Sequence, residues 1–191
     1  MREKVTKVYK FDELSNEAKE KARERFRDSA FDCNWYDAVY EYAKTCGALI
    51  GIDIDKIYFS GFSLQGEGAC FEGEYHYKKG ALKAIKEYAP KDTELHGIAS
   101  ALQGEQRGHF YALCARTKHD GHYYHSGCMR TDIWDNGGEI DNDEIEDQLR
   151  YFADWIYTQL EKEYDFLNSD AQVDESIECN EYEFTEDGER V

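Results

Sequence analysis

Apolar and polar positions recur along this chain with two distinct periods, and the switches between them mark its elements. Val5 to Phe11 reads as a short edge strand. Ser15 follows as a helix N-cap, with Glu17 in the first turn, where the helix dipole favours negative charge. Ala18, Ala22, Phe26 and Ala30 then recur every fourth residue, a thin apolar stripe suited to close helix packing. Lys19, Lys21, Arg23, Arg25 and Arg27 occupy the other faces, beside Glu20, Glu24 and Asp28. Asn34 is placed to cap a second helix, which carries Trp35, Val39, Tyr42, Cys46 and Leu49 up to Gly51.

The period then shortens to two. Ile54 to Phe62 and Ala69 to Tyr77 are β-branched and aromatic and are joined by the loop SLQGEG. In the second strand Ala69, Phe71, Gly73, Tyr75 and Tyr77 face one way, and Cys70, Glu72, Glu74 and His76 the other. A third helix runs from Lys79 to Ala89 and ends at Pro90, the single proline of the chain. A fourth follows Asp92, with Leu95, Ile98, Ala99 and Leu102 as its core face. Two more strands, over about 110–118 and 122–134, are joined by the hairpin turn His-Asp-Gly-His.

Residues 135–143 read as a loop. After it comes the longest helical pattern, over about 142–168, with the seam Ile145, Leu149, Phe152, Ile156, Leu160, Tyr164 and Leu167. Beyond it the chain is acidic and apolar-poor, with a short helix over Val173 to Cys179 and an extended or frayed FTEDGERV. The pattern predicts one α+β domain over 1–168 in the order αα-ββ-αα-ββ. Its antiparallel sheet of about four strands is flanked by helices and followed by a long acidic helix, and 169–191 form a separate acidic segment.

Composition narrows the class. Over 191 residues, 41% hydrophobic and 15% aromatic content supplies enough apolar surface for a real core, which excludes wholesale disorder. No apolar run reaches membrane-spanning length, and the opening MREKVTKVYKF lacks the apolar region of a secretory signal. Six cysteines without paired CxxC spacing read as cytosolic thiols.

Charge changes the picture most. The net charge is −18, and its placement is uneven. Residues 132–191 hold 3 Lys/Arg against 21 Asp/Glu, whereas residues 1–131 hold 20 of each. Such a field repels nucleic acid and anionic membranes and steers association with basic proteins. An ordered helix bearing carboxylates can imitate a phosphate backbone and occupy a basic nucleic-acid channel. The residues expected to do so are Asp141, Asp143, Glu144, Glu146, Asp147, Asp154 and Glu161. The same acidic segment can also be clamped internally by the basic stripe of the first helix or by Lys79, Lys83 and Lys86.

Catalytic signatures are weak by comparison. His119, His122, His125 and Cys128 follow at three-residue spacing, with Cys114 on the neighbouring strand, and suggest a zinc site or a metal-dependent enzyme. On a strand that spacing sends successive side chains to opposite faces, so a hairpin covered by His and Tyr is the better reading. The loop QGEGACFEG lacks the lysine and hydroxyl of a P-loop and places an acid, Glu67, where a phosphate would sit. GxSxG, HExxH and papain-like contexts are absent from the sequence. A non-enzymatic protein without cofactor is expected.

The strings YFSGFSLQGEGACFEGEYHYKKGALKAIKEYAP (58–90), KHDGHYYHSGCM (118–129) and NEYEFTEDGER (180–190) resemble a family of small phage- and prophage-encoded proteins. Some members carry the label "antitoxin of a toxin–antitoxin stability system", and the similarity extends over most of the chain from Trp35 onward. The resemblance implies a mobile-element setting in a bacterial host cytosol. With the charge distribution, it implies an inhibitor of a nucleic-acid-handling host protein, of the anti-CRISPR or anti-restriction kind. An antitoxin neutralising a small toxin through an apolar interface is the alternative. The apolar seam can close a core or join two chains as a homodimer.

Overall fold

A computed structural model describes residues 7–29 and 34–191. In chain order the elements are β1 (Tyr9–Lys10), α1 (Asn16–Ser29), α2 (Asp37–Ile50), β2 (Ile52–Ser60), β3 (Gly68–His76), α3 (Ala81–Tyr88), α4 (Thr93–Gly108), β4 (Cys114–His119), β5 (Met129–Asp135), β6 (Gly138–Glu139), α5 (Asp143–Asn168), α6 (Asp170–Cys179) and β7 (Glu183–Phe184). Short 3-10 turns cover Phe11–Glu13 and Ser126–Cys128. The fold is mixed α and β, with helices and antiparallel strands as the periodicity implies.

The described chain divides into two compact units, one of residues up to Trp35 with 162–191, the other Tyr36–Glu161. In the larger unit five strands pair antiparallel in the order β2-β3-β4-β5-β6, with α3 and α4 inserted between β3 and β4. The alternation expected for β3 holds on its inner face: Ala69, Phe71 and Tyr75 are buried, whereas Glu74 and His76 are exposed. Tyr77 lies just beyond the strand. Gly51 ends α2 in the left-handed region (φ 92°), so the chain turns directly into β2. A bulge between Ile54 and Lys56 shifts the β2 register by one residue, which brings Ile57 and Phe59 opposite Phe71 and Ala69.

The seam of α5 closes this core. Ile145, Leu149, Phe152, Trp155, Ile156 and Leu160 are all essentially inaccessible. The Phe152 ring meets Phe71 of β3 edge-on at 5.7 Å. Truncating an aromatic in such a place costs about 3–5 kcal/mol.

Several expectations are corrected. Of the strand placed at Val5 to Phe11, Tyr9–Lys10 is extended and Phe11 begins a 3-10 turn; residues 5 and 6, like Ala30, lie outside the described residues. The second helix begins at Asp37 behind Tyr36 rather than at an Asn34 cap. The strand expected over 122–134 is β5 alone. Residues 120–128 form a covering loop instead of a two-residue turn. The segment read as a loop after 135 contains β6, which pairs Trp134 with Glu139 and Asp135 with Gly138, so the sheet has five strands rather than about four.

The acidic segment from 169 is also more ordered than expected, and the expected division at residue 168 does not coincide with the division into units. Helix α6 starts at Asp170, capped by Ser169, whose Oγ accepts the Gln172 amide. Phe184 and Ile177 pack with Phe11, Leu14, Ala18, Ala22 and Val173 in a small core of their own. β7 pairs with β1, and the chain then folds back so that the Thr185 amide donates to the Glu189 carbonyl at 2.8 Å. Val173, Ile177 and Phe184 together give this polar segment the apolar surface that docks it.

Candidate functional site

Asn142 starts the acidic helix: its Oδ1 accepts the Ile145 amide at 2.9 Å. Asp143, Glu144 and Glu146 fill the first turn, where free N–H groups favour negative charge. At 100° per residue Asp143, Asp147, Asp154 and Glu161 fall within about 40° of one another and span about 27 Å of axis. All four are exposed, as are Asp141 and Glu144. The gaps of four and seven residues correspond to about two or three phosphate steps along one DNA strand.

The stripe is not uniformly acidic. Arg150 sits inside it, half-buried, donating to Glu146 Oε1 at 2.6 Å and lying 4.0 Å from Asp147. Glu146 is therefore half-buried and engaged, unlike the freely displayed carboxylate that sequence spacing suggests. Glu144 accepts from Gln148 at 2.9 Å. Among the described residues no ion pair meets Asp143, Asp154 or Glu161, nor Asp141 in the leading loop, and the half-exposed Tyr151 ring lies among them.

In the smaller unit several carboxylates are met by α1 arginines. Arg23 forms a two-pronged pair with Asp174 at 2.6 and 2.7 Å, and this bond raises the guanidinium pKa above its ordinary value. Arg27 binds the Asn168 carbonyl at 3.0 Å and the Asp170 carboxylate, and Arg25 reaches Glu189 at 2.9 Å. The basic stripe of α1 thus clamps α6 and the end of the chain. Lys83 is instead paired with Glu87 on its own helix, at 3.7 Å.

The four positions considered for a metal do not converge. His119 Nε2 lies 3.2 Å from the Tyr123 carbonyl, the His122 ring packs edge-on against Tyr123, and His125 turns to Cys128. Among the described residues no three His, Cys, Asp or Glu side chains gather as a metal shell would require. In the glycine loop, Glu67 accepts the Ser63 and Leu64 amides and so fixes the turn from within.

Sequence reading missed two aromatic groups. Tyr58, His119 and Tyr124 cluster at ring distances of 5.1–5.2 Å, with the Lys56 ammonium 4.3 Å from the Tyr58 ring. Phe110 and Tyr111, after α4, both adopt positive φ (54° and 63°), and Phe110 is 92% exposed. No local periodicity marks either group, since each depends on how the loops fold back.

Residues 35–170 match a family model described as Domain of unknown function (DUF8835). The chain belongs to this DUF8835 family. The matched span contains the whole sheet, α2 to α4 and all of α5, and it stops at the first residue of α6. Comparison with curated proteins and with solved structures finds no match. Among the described residues, no helix is long and apolar enough to cross a membrane.

Proposed function

We propose that this DUF8835 protein is a non-enzymatic inhibitor that docks its acidic helix on a basic, nucleic-acid-handling bacterial protein. The observation that carries the reading is the solvent-facing line of Asp143, Asp147, Asp154 and Glu161 on a helix whose apolar seam is buried from Ile145 to Leu160. Order matters because carboxylates held in place lose little entropy on meeting a basic channel, whereas a loose tail must be ordered first. The phage setting, the host cytosol and the anti-CRISPR or anti-restriction role rest on the resemblance of the three strings quoted above.

The test is capture of partners from a bacterial lysate by the tagged chain, followed by competition. The expected partner binds DNA or RNA, is released as salt rises and is displaced by its own nucleic acid. The combined variant Asp143→Asn, Asp147→Asn, Asp154→Asn and Glu161→Gln should weaken its binding at least about tenfold and flatten the salt dependence. Undiminished binding by that variant sinks the reading.

A second reading, an antitoxin with an apolar interface, is favoured by the exposed, conformationally costly Phe110 and Tyr111. It requires a salt-tolerant complex that is lost in Phe110→Ser.

A further inference from the structure

The segment between β4 and β5 holds a nucleophile and a base that the acidic helix leaves unused. Cys128 Sγ lies 3.5 Å from His125 Nε2. The Cys128 amide donates to the His125 carbonyl at 2.9 Å, which closes the 3-10 turn Ser126–Cys128 around the pair.

Three glycines let the backbone pass close to the two side chains. A Cβ at Gly68 would stand 2.6 Å from His125 Cβ, one at Gly121 2.9 Å from Cys128 Sγ, and one at Gly127 3.0 Å from His125 Cε1. The Tyr123 ring lies nearly parallel to the imidazole at 6.2 Å. Cys70 on β3 is near enough to be influenced by Cys128, but burial pushes its own thiol up to about 12 and keeps it protonated. Cys128 is only half-buried.

We propose that Cys128 is a modifiable, nucleophilic thiol whose proton passes to His125, and that its reaction partners are small electrophiles, peroxides above all. A thiolate is the attacking species, and an adjacent imidazolium stabilises it. With a peroxide, Sγ attacks one oxygen and the O–O bond breaks. Sulfur loses two electrons and becomes a sulfenic acid, while the peroxide is reduced. The departing oxygen takes the proton from His125 Nε2 and leaves as water or an alcohol. With iodoacetamide the same sulfur forms a C–S bond and iodide leaves. Neither step involves the acidic helix, so this inference stands or falls separately from the proposed inhibitor function.

The experiment is residue-resolved alkylation of the reduced full-length chain at pH 7 with iodoacetamide, read by peptide mass spectrometry. The exposed Cys179 serves as internal reference and the buried Cys70 as a report on loop closure. Cys128 should react about tenfold faster than Cys179, because the neighbouring imidazole can accept the thiol proton as the C–S bond forms. The two rates should converge in urea. His125→Gln should remove the advantage while Cys70 stays protected, and His122→Gln should preserve it. After hydrogen peroxide, dimedone should label Cys128 before Cys179. A native Cys128 rate no greater than that of Cys179 overturns the proposal on the wild-type chain alone. So does an unchanged rate in His125→Gln.

Discussion

Asp92 serves Trp155 and its own helix at once. Its Oδ1 accepts the Leu95 amide at 3.0 Å and caps α4, and its Oδ2 accepts the Trp155 indole N–H at 2.8 Å. Trp155 is inaccessible, stacked on Phe152 at 5.4 Å and packed against Tyr42. One carboxylate thus ties the start of α4 to the middle of α5. Asp92→Ala removes a cap and strands a buried donor, so it should cost about 2–4 kcal/mol. Urea unfolding followed by tryptophan fluorescence measures this, and a loss under 1 kcal/mol would contradict the double role.

In the smaller unit, Arg23 and Asp174 stand 151 residues apart in sequence and are both largely shielded from solvent. Arg23→Ala and Asp174→Ala should each destabilise the α1–α6 pairing by about 1–3 kcal/mol, while the double variant loses less than the sum. Hydrogen exchange across α6 reads the effect locally, and strict additivity would show that the pair does not interact.

Alkaline pH should weaken the larger unit. Burial raises Cys46 from 9.0 to about 11, Cys70 from 9.0 to about 12 and Tyr75 from 10.0 to about 12. Each group stays protonated in the folded chain after its unfolded counterpart has ionised. Their contribution is therefore complete below about pH 9 and is lost as pH rises from there through 12. Urea midpoints should hold steady between pH 7 and 8.5 and fall progressively above 9. A flat profile to pH 11 would rule this linkage out.

Gly68→Ala places a methyl group against His125 and should lift the covering loop from β3. The expected cost is about 1–3 kcal/mol, as for other overpacked sites. Cys70, fully inaccessible in the native chain, should then become reactive toward a thiol reagent. Continued protection of Cys70 would mean that the loop adjusts without opening.

Neutralising Asp143, Asp147, Asp154 and Glu161 together should change folding stability by no more than about 1 kcal/mol, because all four side chains are solvated. Circular dichroism and urea unfolding check this. A larger loss would give the stripe a structural role.

The helices were legible because their apolar positions repeat locally. The α5 seam from Ile145 to Leu160 and the α4 face Leu95, Ile98, Ala99 and Leu102 are buried as the period requires. The β3 alternation was legible for the same reason, although Cys70 on the outer face is buried too, close enough to the 120–128 loop to feel Cys128. Of the candidate site residues, the exposure of Asp143, Asp147, Asp154 and Glu161 followed from helical geometry. The engagement of Glu146 by Arg150 was hidden among neighbours of equal spacing, because a one-dimensional pattern does not say which of several nearby acids an arginine side chain will reach.

What the sequence determined by itself is the set of amphipathic elements and the concentration of negative charge in the last third of the chain. Those are properties of composition and period, and each element carries them before it meets another. The tertiary structure alone decided that β1 pairs with β7, that α1 arginines hold α6 carboxylates, and that His125 lies against Gly68 of β3. These contacts join segments whose own periodicity is silent about partners. They form only because the packed cores bring particular backbones close enough to make short-range interactions worth the entropy of ordering them.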